Sequence, residues 1–192
     1  GEVHAVYVEL CVNASGGHPV SLQNLREIRA LTAPGGIPVY LDATRAFENA
    51  VHIREREAGF EGKSLVEIVR ELCSLSDGCA ASLTKDFKSP VGAFVGANGE
   101  ELFVKVRDLA VLAFGTGLSH EGRESLARAL NLPDEGPAVL ARMDLVRRLS
   151  DRLREVGVPV VEPVGGHGVF VDVAAFLPHL GAGEYPVHAL AG

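Results

Sequence analysis

The sequence predicts an α/β fold, a mostly parallel sheet whose strands are joined by helical crossovers. Three observations carry this reading. Short apolar runs rich in β-branched residues recur, notably over residues 6–12 and 37–41. Each is followed by a stretch with apolar side chains at helical spacing. Glycine and proline clusters separate them, so strands and helices alternate singly rather than in blocks.

Residues 6–12, Val-Tyr-Val-Glu-Leu-Cys-Val, are nearly all apolar and are expected as a strand buried on both faces. Ser21 is placed to cap a helix on which Leu22, Leu25, Ile28 and Leu31 share a face, and Pro34-Gly35-Gly36 stops it. Residues 37–41 form a second buried strand ended by Asp42. A helix over 45–58 follows and is closed by Gly59. Ser64-Leu65-Val66-Glu67 fits a capping box, with Ile68, Val69 and Leu72 at helical spacing beyond it. Residues 79–82 make a short strand that leads into a turn carrying Lys85. Residues 91–96 and 101–106 flank Asn98-Gly99, a dipeptide favoured in hairpin turns, so a hairpin is expected there. A helix follows to residue 113 and another spans 121–130.

Pro133-Asp134-Glu135-Gly136 breaks the pattern. Residues 1–135 are therefore expected as a large-domain portion, and residues 136–192 as the start of a small α+β C-terminal domain. In the latter, Leu145, Leu149, Leu153 and Val156 form an amphipathic stripe ended by Gly157 and Pro159. Residues 158–161 and 169–173 read as strands, and 174–180 and 187–192 as helix.

Composition excludes several classes. A 192-residue chain with 47% hydrophobic residues can bury a real core. Its formal charge of −7 and lack of a basic run exclude a nucleic-acid surface, since binding a polyanion needs clustered Lys and Arg. No apolar stretch approaches the roughly 20 residues that span a bilayer, so no membrane partner is expected. The N-terminus, Gly1-Glu2-Val3-His4, lacks a signal-peptide pattern, and a cytoplasmic location is expected. Cys11, Cys73 and Cys79 lack Cys-x-x-Cys spacing and read as reduced, mostly buried thiols. The seven histidines show no His-x-x-x-His or similar pairing on one helix face, so no metal is expected. The chain begins without Met at a strand and stops in a helical stretch, which reads as a central fragment or an excised domain.

The chemistry gathers at two strand ends, Asp42-Ala43-Thr44-Arg45 and Ser82-Leu83-Thr84-Lys85-Asp86. Open α/β sheets place their ligands at such ends. An acid, an amine and a hydroxyl together suit an enzyme that uses pyridoxal 5′-phosphate (PLP). A lysine forms a Schiff base with the cofactor aldehyde, and a carboxylate keeps the pyridine nitrogen protonated. Each residue also has an ordinary reading. Lys85 suits a solvated surface, Asp42 a helix N-cap, Arg45 an exposed helix position, Asn13 a turn, and Ser82 a hydroxyl before a turn.

Several colinear segments carry a resemblance. They are Val12-Asn13-Ala14-Ser15-Gly16-Gly17-His18-Pro19-Val20-Ser21, Leu41-Asp42-Ala43-Thr44-Arg45-Ala46-Phe47-Glu48-Asn49-Ala50, Glu55-Arg56-Glu57-Ala58-Gly59-Phe60-Glu61-Gly62-Lys63-Ser64, Ser76-Asp77-Gly78-Cys79, Ser82 to Asp86, and Gly157 to His167. Together they resemble the β-eliminating lyases, the tryptophanase and tyrosine phenol-lyase group, over nearly the whole chain. The resemblance implies the PLP-dependent fold type I. It makes Lys85 the cofactor lysine, whose freed amine acts as general base at the substrate α-carbon. Asp42 would pair with the ring nitrogen, Arg45 and Asn13 would contact the ring's phenolic oxygen, and Ser82 would help hold the phosphate. His167, in the small-domain entry motif Gly165-Gly166-His167, fits an active-site contact and a structural turn equally.

The implied reaction is β-elimination from a small-molecule L-amino acid, giving an aminoacrylate that breaks down to pyruvate and ammonia. A homo-oligomer or complementary segments would complete the site, because the family's other phosphate loop, stacking aromatic and carboxylate-binding arginine fall outside this sequence. Two departures bear on the substrate. Thr84 stands where the family commonly has a second lysine, and the loop over 114–119 is shorter than the family's. They favour carbon–sulfur cleavage of a cysteine derivative. A carbon–carbon lyase, a transaminase and a catalytically silent scaffold domain are the alternatives. Gly115-x-Gly117 follows a helix rather than a strand and is no dinucleotide fingerprint.

Overall fold

A computed structural model describes residues 2–115, 117–131 and 136–191. The chain forms two compact units, one of residues 1–11 and 19–139 and the other of residues 12–18 and 140–192. The expected division after residue 135 falls on residues 132–135, which lie outside the described residues.

The first unit is built on a four-stranded sheet in the order β1 (Val6–Glu9), β2 (Val39–Asp42), β3 (Gly78–Ser82) and β4 (Ala93–Ala97). β1 pairs with β2 and β2 with β3 in parallel, whereas β4 joins β3 antiparallel. Parallel neighbours require crossovers. These are α1 (Leu22–Thr32) between β1 and β2, and α2 (Ala46–Arg56) with α3 (Leu65–Ser74) between β2 and β3. Val39 and Leu41 of β2, Ala50 and Val51 of α2, and Leu65, Ile68 and Leu72 of α3 are completely buried and form the core. Ser64 and Glu67 make the expected reciprocal capping box at the start of α3.

Several elements depart from expectation for identifiable reasons. β1 is not buried on both faces: Tyr7 is 62% exposed. Tyr7 and Tyr40 instead line a cavity of about 260 Å³ shared with Leu102 and Val106. On α1, Leu22 and Leu25 are buried but Leu31 is 81% exposed. Leu31 lies nine positions beyond Leu22, half a turn away at about 100° per residue, and Thr32 takes the inner position. Thr32 Oγ1 satisfies itself on the Ile28 carbonyl at 2.9 Å.

The expected hairpin is absent. Residues 101–106 belong to α4 (Glu100–Phe114), on which Leu102, Val106 and Ala110 recur at helical spacing and line cavities against the sheet. β4 pairs back on β3 instead, and Asn98 is a tie rather than a hairpin turn. Its Nδ2 donates to the Cys73 and Ser76 carbonyls at 3.0 and 2.8 Å. α5 (His120–Leu130) follows, capped by Ser119 Oγ.

α6 (Pro137–Glu155) forms, but it buries Val139, Met143, Val146 and Ser150 and leaves Leu145 and Leu149 more than half exposed. The helix carries two apolar rows, and helical periodicity alone does not rank them. In the second unit, the strands expected over 158–161 and 169–173 reduce to one antiparallel bridge between Val160 and Val171. Pro159 and Pro163 lack the amide donors that would extend it. The helix expected over 174–180 is the single turn α7 (Val173–Phe176), capped by Asp172, and α8 (Pro186–Ala191) follows.

Candidate active site

Because β2 and β3 run parallel, their carboxyl ends share one edge of the sheet. Asp42 is the last residue of β2 and faces Ala80 of β3 in register. It is half-buried, and its Oδ1 accepts the Thr44 amide at 2.9 Å. Its Oδ2 has no hydrogen-bond partner among the described residues. Asp42 is not the helix cap, since Arg45 occupies the N-cap of α2 without a side-chain bond. Thr44 Oγ1 in turn accepts the Ser82 amide at 3.0 Å, which stitches the two strand ends together. Ser82 Oγ lies 3.0 Å from Thr84 Oγ1, so paired hydroxyls stand at the end of β3.

Lys85 follows in an exposed turn, closed by amide bonds from Lys88 to the Lys85 carbonyl at 3.1 Å and from Ser89 to the Leu83 carbonyl at 2.9 Å. The neighbouring residue anchors it. Asp86 is completely buried, and its Oδ2 accepts the Glu48 amide at 3.0 Å in the first turn of α2. A carboxylate is favoured there by the helix dipole. Phe87 adds edge-to-face contacts with Phe47 and Phe94. The lysine turn is thus fastened to α2, the helix whose N-cap is Arg45. Arg45 is half-buried, and its guanidinium has no hydrogen bond or ion pair among the described residues.

Asp42, Arg45, Ser82 and Lys85 therefore lie on adjoining segments of the first unit. Asn13 lies in the second unit, with its Oδ1 3.0 Å from His167 Nε2. The turn that holds it is close-packed: a Cβ on Gly165 would sit 2.7 Å from the Gly17 carbonyl oxygen. The residues of the first unit fit PLP. A strand-end carboxylate with one unengaged oxygen, a guanidinium without an anion, an exposed amine and a hydroxyl pair match the ring nitrogen, ring oxygen, aldehyde and phosphate.

Sequence reasoning overlooked the polar group beneath this edge. Cys11 and Glu48 are 0% exposed and His52 is 2% exposed. Burial pushes the Cys11 thiol well above its ordinary pKa, and the Glu48 carboxylate pushes it further. The signal was present as Glu48-x-x-x-His52 on the expected helix, a pairing hidden by a search for histidine pairs.

The Beta-eliminating lyase family model matches residues 1–182. A tyrosine phenol-lyase of Fusobacterium nucleatum is 40% identical over 190 residues, covering 97% of this chain and 41% of that protein. A tyrosine phenol-lyase of Clostridium tetani is 42% identical over the same share of each. The chain thus spans about two-fifths of the length of these curated relatives. Among solved structures, a Listeria monocytogenes protein provisionally described as an L-allo-threonine aldolase superposes with a TM-score of 0.65 at 22% identity. The match covers 85% of this chain and 42% of that one, and it concerns the fold alone. Sheet and family match agree: the chain belongs to the β-eliminating lyases, PLP-dependent enzymes of fold type I.

Proposed function

We propose that the protein is a PLP-dependent lyase that cleaves a carbon–carbon bond by β-elimination from an aromatic L-amino acid, as the relatives named tyrosine phenol-lyase do by their name. The observation that carries the reading is the 40–42% identity to those relatives across 97% of the chain. This moves the substrate away from the cysteine derivative suggested by Thr84 and the 114–119 loop. That loop contains Thr116, which is outside the described residues.

When bound, PLP supplies an aldehyde that takes up the amino acid and a cationic ring that draws electrons from its α-carbon. The chain's residues supply the rest. Asp42 Oδ2 accepts the ring N–H and keeps that nitrogen charged. Arg45 neutralises the ring oxygen with a permanent positive charge. Ser82 and Thr84 offer hydroxyls to the phosphate. Lys85 would hold the cofactor, and its amine would serve as the base toward the substrate α-carbon. Water consumed in the overall reaction leaves L-tyrosine as phenol, pyruvate and ammonia. The side-chain pocket and the carboxylate contact come, in this proposal, from the rest of the protein or from a partner subunit.

The test incubates the full-length protein with PLP and L-tyrosine, L-tryptophan or an S-alkyl-L-cysteine. Equimolar phenol, pyruvate and ammonia from tyrosine, lost in Lys85→Ala, is the expected result. Preferential thiol release would assign carbon–sulfur cleavage. A requirement for an amino acceptor would assign transamination, and inertness of the loaded protein would assign a silent scaffold.

A further inference from the structure

Below the strand-end site, the first unit contains three side chains that its proposed chemistry does not use. Cys11 follows β1, while Glu48 and His52 stand one turn apart on α2 and so share a face. Their donor atoms, one thiol sulfur, one carboxylate oxygen and one imidazole nitrogen, all lie within 4.8 Å of one another. We propose that Cys11, Glu48 and His52 form a buried three-ligand binding site for a thiophilic divalent ion of the zinc class.

Donor chemistry selects the ion. A thiolate and an imidazole favour zinc or cobalt over magnesium or calcium, which take oxygen ligands. Ligand atoms around tetrahedral zinc are about 3.6 Å apart, so closing the set needs movements of at most about 1 Å. Backbone geometry at Cys11 points the same way. Its φ of 53° lies in the left-handed region, which non-glycine residues seldom enter. The chain holds that conformation where it directs the sulfur toward α2.

The surroundings supply orientation and charge. Asn49 Oδ1 accepts the thiol at 3.7 Å and the Val20 amide at 2.8 Å, while its Nδ2 donates to the Val20 carbonyl at 2.9 Å. Asn49 is thereby fixed beside the sulfur as the acceptor of the thiol, a hydrogen bond that is given up when the proton leaves. The charged groups acting on Cys11 are Glu48, Asp86 and Arg45. Two of these are buried carboxylates, and the one guanidinium is half-buried. Binding breaks the S–H bond of Cys11, releases its proton to solvent and forms the metal–sulfur bond without any redox change. The alternative occupant is a proton shared among the three side chains, and the experiment separates the two.

The full-length protein is prepared without PLP, exchanged into zinc or cobalt(II), freed of excess metal and examined by elemental analysis and absorption spectroscopy. One equivalent of metal per chain and a thiolate-to-cobalt charge-transfer band are expected. Cys11→Ser is expected to abolish the band, and His52→Phe, which removes a direct ligand, to weaken zinc binding by at least about 10- to 100-fold, the loss typical of a mere outer-shell partner. Sub-stoichiometric metal in the wild-type protein overturns the proposal and leaves the proton as occupant. So does bound cobalt lacking the charge-transfer band, or equal retention of metal by both variants. Should either variant fail to fold, a Cys73→Ala/Cys79→Ala protein decides, since it must keep the cobalt band if Cys11 is the ligand and loses it otherwise. The inference stands apart from the lyase reading, since a metal-free protein that releases phenol would sink only the metal site.

Discussion

Replacing Asp42 with asparagine separates the chemistry of the sheet edge from its architecture. The fold uses Oδ1, which accepts the Thr44 amide at 2.9 Å, and the oxygen of an amide side chain can accept the same bond. The substitution removes the negative charge offered by the other oxygen. A hydrogen bond to a charged group contributes about 1.5–3 kcal/mol. Asp42→Asn should therefore weaken PLP binding by about 10- to 150-fold. Stability without cofactor should stay within about 0.5 kcal/mol of the parent. Turnover at saturating PLP should fall further still, because a ring without a protonated nitrogen is a poorer electron sink. Absorbance titration with PLP, phenol release and urea unfolding measure the three quantities separately. Unchanged affinity and turnover would refute the assignment of Asp42 to the ring nitrogen. Loss of stability matching the loss of binding would make the residue architectural.

Asp86→Ala strands the buried Glu48 amide and should cost about 1–3 kcal/mol in urea unfolding, whereas Asp86→Asn should recover much of it. Equal stability of all three proteins would show that the lysine turn is not anchored there. Gly165→Ala would place a methyl 2.7 Å from the Gly17 oxygen and 3.0 Å from its Cα, both backbone atoms that cannot swing aside. It should destabilise the protein by about 1–3 kcal/mol in thermal unfolding, and a neutral effect would contradict the close packing. The Arg29 guanidinium, aided by the Val39 amide, holds the Asp77 carboxyl below its usual pKa. Its stabilisation is thus present above the unfolded value of about 3.9 and lost as the pH falls through the lower folded value. Asp77→Asn should flatten the acid limb of a stability-versus-pH curve, and an unaltered limb would count against the pair. A hydrogen bond from Cys73 lowers Cys79 to about 7 while Cys73 rises. An alkylating reagent near neutral pH should mark Cys79 before Cys11 or Cys73 in peptide mass spectrometry, and equal labelling would contradict this ordering.

The parallel core was legible because its signals are local and redundant. Ser64 through Glu67 specifies a helix start by itself, and the apolar approach to Asp42 specifies a strand end. Where two local rules compete, the sequence gives no ranking. Asn98-Gly99 satisfies a hairpin rule, yet Leu102, Val106 and Ala110 satisfy a helical one, and contact with the sheet favours the helix. The same holds on α6, where the leucine row is the more apolar but the row through Met143 is buried. The strand-end residues were readable from their types and positions. The cluster at Cys11 was not, because its members meet only after β1 is laid beside β2 and α2 is folded across them.

The parallel crossover also decides where the chain can change length. Asp42 and Lys85 are 43 residues apart, but their shared edge depends on strand register and not on that number. Between α2 and α3, a Cβ added at Gly59 or Gly62 meets nothing within 4 Å. Extra residues there would bulge into solvent and leave the pairing of Asp42 with Ala80 untouched. A single residue inserted within β3 would do the reverse, sending Ser82 to the opposite face of the sheet and shifting the lysine turn with it. Drift in length is absorbed by the connection, while the strands act as a ruler that allows no error.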